Sequence, residues 1–211
     1  MNDRSDTLIP ATDRRQESVI LTAALEAFGA SGFNGASMRQ IARGAGTGLS
    51  NLYNYFPSKS TLLAEVLRHA NARLHDRIRA AVAGAGDDAP SRMREAVRAY
   101  VAFVVDHPVA TLVATSEVRY LDPADRAVLV AERDATQAVF ERIVEQGALD
   151  GSFGTPYAAD AARAILSTVG AIVSWYRPDG RLSPGQLAEQ HARFALALLE
   201  SPLPAVAGHR P

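Results

Sequence analysis

The 211-residue sequence contains no cysteine, which excludes disulfide bonds, thiolate metal sites and cysteine nucleophiles. Lysine is almost as scarce, because Lys59 is the only one in the chain. No apolar run approaches the roughly 18–20 residues of a membrane-spanning helix, and residues 1–16 are polar with no apolar signal-peptide core. We therefore expect a soluble, cytoplasmic protein that makes no contact with a membrane.

The composition is that of a chain that folds around a core. Apolar residues make up 47% of the sequence and charged residues 21%, which differs from a disordered composition. Residues 1–80 contain ten basic and seven acidic side chains, whereas residues 81–211 contain twelve and sixteen. A basic first part is expected where a protein meets phosphates, although so small an excess is equally compatible with chance.

The glycine-rich and catalytic motifs of common enzymes lack their defining residues here. The run Gly44-Ala-Gly-Thr-Gly48 is followed by Leu49 and preceded by a helical pattern, which excludes a dinucleotide-binding loop. Lys59 follows Ser58 without the glycine that a phosphate-binding loop requires, and no Gly-x-Ser-x-Gly sequence occurs. The five histidines lack the spacing of zinc ligands. We expect no enzyme activity, no cofactor and no metal site.

Apolar residues recur at helical spacing along most of the chain, and no run alternates between apolar and polar residues. The pattern predicts an all-α fold of about nine helices. Thr12 or Asp13 is the expected cap of the first helix and Ser37 of the second. The predicted helices are Arg14–Ala30, a short helix from Ser37 to Gly46, Leu49–Phe56, a long helix after Ser58, Ser91–Asp106, Val109–Arg119, Pro123–Gln146, Ala158–Tyr176 and Pro184–Leu199.

Glycine and proline mark one boundary between two halves of the chain, in the segment Gly84 to Pro90. The predicted organisation is an N-terminal arm and helix-turn-helix at residues 1–57, a linking helix at 58–84, a ligand-binding and dimerisation domain at 85–202, and a disordered tail at 203–211.

Two short helices joined by a tight turn, with a helix before and a longer one after, form the plan of a DNA-binding helix-turn-helix. Small residues are needed where the two short helices cross, and Ala42, Ala45 and Gly46 supply them. The second helix needs small or polar groups on its exposed face, and Ser50, Asn51 and Asn54 meet that need. The arrangement places three α-helices in the DNA-binding domain.

The stretch Ala36 to Leu63 resembles the DNA-binding signature of the TetR family. Two positions depart from the family pattern, because Gly48 stands where a serine cap is common and Ser50 where glycine is common. Glycine is tolerated at an N-cap, so we expect a slightly weaker cap and an altered base preference. The matching residues are Phe28, Gly32-Phe33, Ile41-Ala42, Ala45-Gly46, Leu52-Tyr53, Phe56, Ser58-Lys59 and Leu62-Leu63.

The resemblance implies a role for each residue near the DNA. Lys59 is expected to clamp the phosphate backbone, and the hydroxyls of Tyr53 and Tyr55 to donate to phosphates. Arg39 can reach a guanine edge with its two donors, although a plain solvated arginine is an equally good interpretation. Leu49 can touch a thymine methyl. The full predicted set is Arg39, Thr47, Leu49, Ser50, Asn51, Tyr53, Asn54, Tyr55 and Lys59, while Ile41, Leu52 and Phe56 are expected in the core.

The second half of the chain resembles a branch of TetR regulators that control fatty-acid and steroid catabolism and commonly respond to acyl-CoA thioesters. The resembling segments are Glu117 to Pro123, Gly151 to Phe153 and Trp175 to Leu182. The resemblance implies a small apolar effector, an acyl-CoA being the first candidate. The candidate effector-binding residues are Phe103, Arg119, Trp175, Tyr176 and Arg177, although each aromatic one could simply fill the core.

The last two predicted helices are similar in position to the dimer interface of the family. A two-fold dimer would present two recognition helices to a near-palindromic double-stranded DNA operator. The expected function is that of a repressor released by its effector, with activation left open by the sequence. The rival interpretation is a helical ligand-binding dimer that no longer reads specific DNA.

Overall fold

A computed structural model describes residues 15–201, and within this range the chain forms nine α-helices and no strand, which confirms the predicted all-α fold. Two short 3₁₀ segments, Val118–Tyr120 and Ala171–Ser174, lie between helices. The arm, the caps expected at Thr12 or Asp13 and the C-terminal tail lie outside the described residues. The helices are α1 (Arg15–Gly35), α2 (Met38–Gly44), α3 (Leu49–Tyr55), α4 (Lys59–Ala83), α5 (Ala89–Asp106), α6 (Pro108–Ser116), α7 (Pro123–Asp150), α8 (Ala158–Gly170) and α9 (Pro184–Leu198).

The described residues form two compact units, and neither is a continuous segment of the chain. The first holds the residues up to Leu74 together with His107–Asp134, and the second holds His75–Asp106 together with the residues from Ala135 onward. The long helices α4 and α7 therefore each contribute residues to both units. No single helix within residues 15–201 is long and apolar enough to cross a membrane, and only the consecutive pair α5 and α6 reaches that length and composition together.

The first unit is built around the apolar faces of α1 to α4. Ile20 and Phe28 of α1, Ile41 of α2, Leu52 of α3 and Leu63 of α4 are all buried in one cluster. Burying a side chain of this size stabilises a fold by about 1.5–3 kcal/mol, so this small core can hold the short helices α2 and α3, which would not be stable alone.

The second unit is built around α5, which packs against α8 and α9. Met93 and Val97 on α5, Ile165 on α8 and Leu187 on α9 are buried in it. The start of α9 is fixed by a capping box, in which Ser183 accepts from the Gln186 backbone N–H and the Gln186 side chain accepts from the backbone N–H of Ser183.

Helix α7 is longer than its sequence indicates. The prediction that it ends at Gln146 is wrong, because the helix continues through Gly147 to Asp150. A Cβ atom at position 147 would lie only 2.1 Å from a ring carbon of Phe153, so glycine is required here by close packing and does not stop the helix. The predicted end of α8 at Tyr176 is also wrong, since the helix ends at Gly170 and tightens into the 3₁₀ segment Ala171–Ser174.

Candidate DNA-binding site

The helix-turn-helix is held by caps and by small residues at the helix crossing. Ser37 caps α2 as predicted, because its hydroxyl accepts from the backbone N–H of Gln40. Ala42 and Ala45 are buried in the core of the first unit, and α2 packs against α3. Small side chains at these positions leave room for the close crossing of the two helices that the sequence predicts.

The turn between α2 and α3 depends on a left-handed residue. Gly46 has a φ of 60°, which costs glycine little and other residues considerably more. The backbone N–H of Gly46 donates to Arg43 O at 3.1 Å, and that of Thr47 donates to Ala42 O at 2.9 Å. These bonds fix the direction in which α3 leaves the turn, and hence which of its side chains are exposed.

Most of the predicted DNA-binding residues lie on the surface of this unit. Arg39, Ser50, Asn51 and Asn54 are exposed, and Tyr53 is 45% exposed. Thr47, Leu49, Tyr55 and Lys59 are half-buried. An open groove brings four members of the predicted set together, since its lining includes Arg39, Leu49, Tyr53 and Lys59.

Lys59 has a structural role that its sequence position does not reveal. Its ammonium group donates to Phe33 O at 2.6 Å and to Ala36 O at 2.8 Å, and it lies 4.4 Å from the centre of the Phe33 ring. Two of its three N–H bonds therefore tie the start of α4 to the segment before α2. One N–H bond remains for a phosphate, so the predicted contact with DNA needs no break in these bonds.

Tyr55 differs from Tyr53 in its surroundings. Tyr55 is half-buried and packs against the apolar core of the first unit, with its ring centre 6.5 Å from that of Phe56. Tyr53 is exposed on the same helix and lines the groove. Of the two predicted phosphate contacts, Tyr53 is the one whose side chain is presented to solvent.

Sequence reasoning missed Glu117 and Tyr120 as partners of the DNA-binding helices. The buried carboxylate of Glu117 accepts from the backbone N–H of Phe33 at 2.8 Å. The Tyr120 ring stacks on the Phe33 ring with centres 5.0 Å apart, and its hydroxyl accepts from the Asn34 amide at 3.0 Å. These contacts join residues more than 80 positions apart, so no local pattern could have indicated them.

The five predicted effector-binding residues do not form one constellation within either unit. Arg119 belongs to the first unit, where its guanidinium carbon lies 5.1 Å from the centre of the Tyr120 ring. Phe103 is buried in the second unit. Trp175 is half exposed and stacks on His191 with ring centres 6.0 Å apart, the Tyr176 hydroxyl donates to Leu182 O at 3.3 Å, and Arg177 is exposed.

Two family models match the chain. Residues 20–66 match the model described as bacterial regulatory proteins of the tetR family. Residues 86–199 match the model described as the C-terminal domain of tetracyclin repressor-like proteins. The first match contains the whole of α2 and α3, and the second begins just before α5.

Relatives of known function and known structure are similar over most of the chain. The transcriptional repressor KstR2 of Rhodococcus jostii is 29% identical over 191 residues, which cover 90% of this chain and 92% of that protein. A tetR-family regulatory protein from Rhodococcus RHA1 has a crystal structure with a TM-score of 0.82 and 28% identity, covering 88% of this chain and 97% of the other. The structure of AibR in complex with isovaleryl coenzyme A and operator DNA has the same fold, with a TM-score of 0.78 and 22% identity, covering 85% and 97%.

Proposed function

The chain belongs to the TetR family of bacterial transcriptional regulators, and on that premise we propose that it is a repressor that binds a palindromic operator as a dimer. A small apolar effector, for which an acyl-CoA is the first candidate, would release it from DNA. The relatives that it resembles are regulators of transcription and not enzymes.

The observation that carries the proposal is the groove on the helix-turn-helix. It combines the cation of Lys59, the guanidinium of Arg39 and the hydroxyl of Tyr53 around an exposed helix with small and polar side chains. Cations and hydroxyls bind phosphates, and an exposed short helix of this kind fits the major groove of DNA. The name of the relative KstR2, a transcriptional repressor, supports repression over activation.

A dimer is supported by an apolar surface cluster on the second unit, formed by Trp175, His191, Phe194 and Leu198. Trp175 is 50% exposed, Phe194 47% and Leu198 45%, although each is a large apolar side chain. The ring of the buried His191 joins the cluster, since its centre lies 6.0 Å from that of Trp175 and 5.6 Å from that of Phe194. A second copy of the chain related by a two-fold axis would cover the cluster, as isologous interfaces do.

The effector proposal rests on a structure of similar fold and can be tested directly. The structure of AibR was solved with isovaleryl coenzyme A, which makes short acyl-CoAs a reasonable first class.

The operator is found by incubating the purified protein with random double-stranded DNA and sequencing what it retains. Enrichment of an inverted repeat would support the proposal, and an unchanged pool would favour a ligand-binding protein without specific DNA recognition.

The melting temperature is then measured with acyl-CoAs of increasing chain length, beside the free acids and coenzyme A alone. A ligand at about 100 times its Kd adds about 2.7 kcal/mol of stability. A shift that needs both acyl chain and coenzyme A, with release of the operator at the same concentrations, is the expected result.

A further inference from the structure

The recognition helix α3 contains no charged residue. Its sequence from Leu49 to Tyr55 has neither arginine nor lysine, although these side chains make the commonest specific contacts with guanine. Apart from the Tyr53 hydroxyl, which is expected to contact a phosphate, the exposed groups of α3 that can form hydrogen bonds with bases are the Ser50 hydroxyl and the amides of Asn51 and Asn54. An amide matches the edge of adenine in the major groove, where the base offers one acceptor and one donor.

The two amides on α3 differ in how they are held. Asn51 Nδ2 donates to Thr47 Oγ1 at 2.8 Å, a contact between side chains four residues apart. Thr47 is half-buried, and its backbone N–H donates to Ala42 O at 2.9 Å, so the turn fixes the backbone that carries the accepting hydroxyl. Asn54 is exposed further along the helix and serves as the natural comparison.

The bond to Thr47 leaves Asn51 with the oxygen and the N–H bond that contact with adenine requires. A primary amide has two N–H bonds and one carbonyl oxygen. Contact with adenine uses the oxygen, which accepts from N6, and one N–H bond, which donates to N7. The other N–H bond is free to point back along the helix, toward the residue four positions earlier. Thr47 therefore restricts the rotation of the amide without using the atoms that read the base.

We infer that Asn51 reads an adenine in each half-site of the operator, and that Thr47 is a positioning residue that holds the Asn51 amide ready for it. The inference rests on the proposed function, because it assumes that α3 lies in the major groove. The bond to Thr47 preorganises Asn51, because a side chain whose rotamers are restricted before binding loses less entropy when it contacts the base.

The test compares base preferences of the full-length protein and four variants by selection from random DNA, followed by binding measurements on single-base variants of the enriched site. The wild-type protein should enrich an A·T pair at one position in each half-site. Asn51→Ala should reduce the preference for that pair by between roughly fivefold and a hundredfold, the range expected for one bidentate contact. Other positions of the site and binding to unrelated DNA should remain unchanged.

Thr47 is tested by removing its hydroxyl while keeping its shape. Thr47→Val should weaken the same A·T preference by roughly two- to tenfold, the cost of ordering one free side chain. Its melting temperature and its affinity for unrelated DNA should stay at the wild-type values, whereas a merely structural role would lower both. Thr47→Ser keeps the hydroxyl and should restore the preference. Asn54→Ala removes an amide from the same helix; it is free to alter another position of the site, and it should leave the A·T preference at the Asn51 position unaffected.

The outcomes separate this inference from the proposed function. If the wild-type protein enriches no sequence at all, the proposed function fails and this inference with it. If it enriches a clear site whose base preferences are the same in Asn51→Ala, the function stands and the inference is wrong. An Asn51 effect that Thr47→Val does not share would remove the positioning role and leave the adenine contact.

Discussion

At the scale of single residues, Lys59 has a structural role in the fold and a proposed role in binding DNA. Its ammonium group binds the carbonyls of Phe33 and Ala36, and it also lies in the groove proposed for DNA. Lys59→Met keeps the length of the side chain but loses the charge and all three donors. We expect it to lower the free energy of unfolding by roughly 1–3 kcal/mol, since hydrogen bonds from a charged donor contribute about that much.

The same variant should weaken binding to all DNA sequences alike and reduce the salt dependence of binding by about one unit. Thermal unfolding and operator titrations at several salt concentrations measure both effects. Arg39→Ala is the contrasting variant, because Arg39 is exposed and should affect the preference at one base pair without changing the melting temperature. An unchanged melting temperature in Lys59→Met would show that the two carbonyl bonds contribute nothing to stability.

Gly147 gives a prediction about packing. A Cβ at this position would lie 2.1 Å from a ring carbon of Phe153, so Gly147→Ala must displace the ring or bend α7. Although alanine is the better helix former, we expect a net loss of roughly 1–3 kcal/mol of stability, as is typical of overpacking. In Gly185→Ala the new Cβ has no neighbour within 4 Å, and that variant should be stabilised by up to about 1 kcal/mol. Chemical denaturation gives the free energy of unfolding of both variants. Equal changes in Gly147→Ala and Gly185→Ala would contradict the prediction.

At the scale of elements, the segment from Ser116 to Tyr120 holds Phe33, which follows the kink of α1 at Gly32. Glu117 Oε2 accepts from the backbone N–H of Phe33, Glu117 Oε1 accepts from the Ser116 hydroxyl at 2.8 Å, and Ser60 Oγ donates to Tyr120 O at 3.3 Å. Glu117→Ala would leave the Phe33 N–H without its acceptor in a partly buried place, at a cost of roughly 1–3 kcal/mol. Glu117→Gln retains an acceptor oxygen and should lose less. The free energy of unfolding and the operator affinity are measured for both variants. A Glu117→Gln variant that loses as much stability as Glu117→Ala would contradict the prediction.

The elements also show why some features followed from the sequence and others did not. The caps and spacing of α2 and α3 are local, so Ser37, Ala42 and Leu52 could be assigned from neighbouring residues alone. The second role of Lys59 depends on carbonyls 23 and 26 residues away, and that of Glu117 on an N–H 84 residues away. Contacts of this kind are set by tertiary packing, which no sequence period encodes.

The ends of helices were the least predictable part of the fold for a related reason. Glycine is usually found after a helix, where it takes a left-handed conformation at little cost. Gly46 does so with a φ of 60°. Gly147 lies inside α7, where the absence of a side chain makes room for Phe153. The two uses of glycine cannot be distinguished in the sequence, because they differ only in which residues pack nearby in the folded structure.

At the scale of the whole molecule, the proposed dimer depends on the apolar surface cluster of Trp175, His191, Phe194 and Leu198. Phe194 is 47% exposed, so Phe194→Glu should leave the fold of the single chain intact while placing a charge in the interface. We expect sedimentation at micromolar concentration to change from dimer to monomer, with a large loss of operator affinity. Leu149→Glu is the matched control, since Leu149 is 90% exposed and lies outside the cluster. A dimer that survives Phe194→Glu would place the interface elsewhere.

Acid stability is a second property of the whole molecule. The Arg68 guanidinium, followed by the His69 ring, holds the pKa of Glu65 at about 2, below its ordinary value of 4.5. A carboxylate with a lowered pKa in the folded state stabilises the fold above pH 4.5, and this contribution is lost as the pH falls toward 2. Glu65→Gln should therefore melt at a lower temperature than the wild type near neutral pH, with the difference vanishing in strong acid. A difference that stays constant with pH would show that the charge of Glu65 is not its source.

The single lysine is also a unique site for chemical modification. Acylation of lysine, whether by an enzyme or by a reactive acyl thioester, has only one side-chain target in these 211 residues, and at Lys59 it would remove both the charge and the donors to Phe33 and Ala36. The half-buried ammonium group is protected from acylation while it donates to these two carbonyls. The rate at which an amine reagent modifies Lys59 therefore measures how often the start of α4 separates from the end of α1, without any label having been introduced.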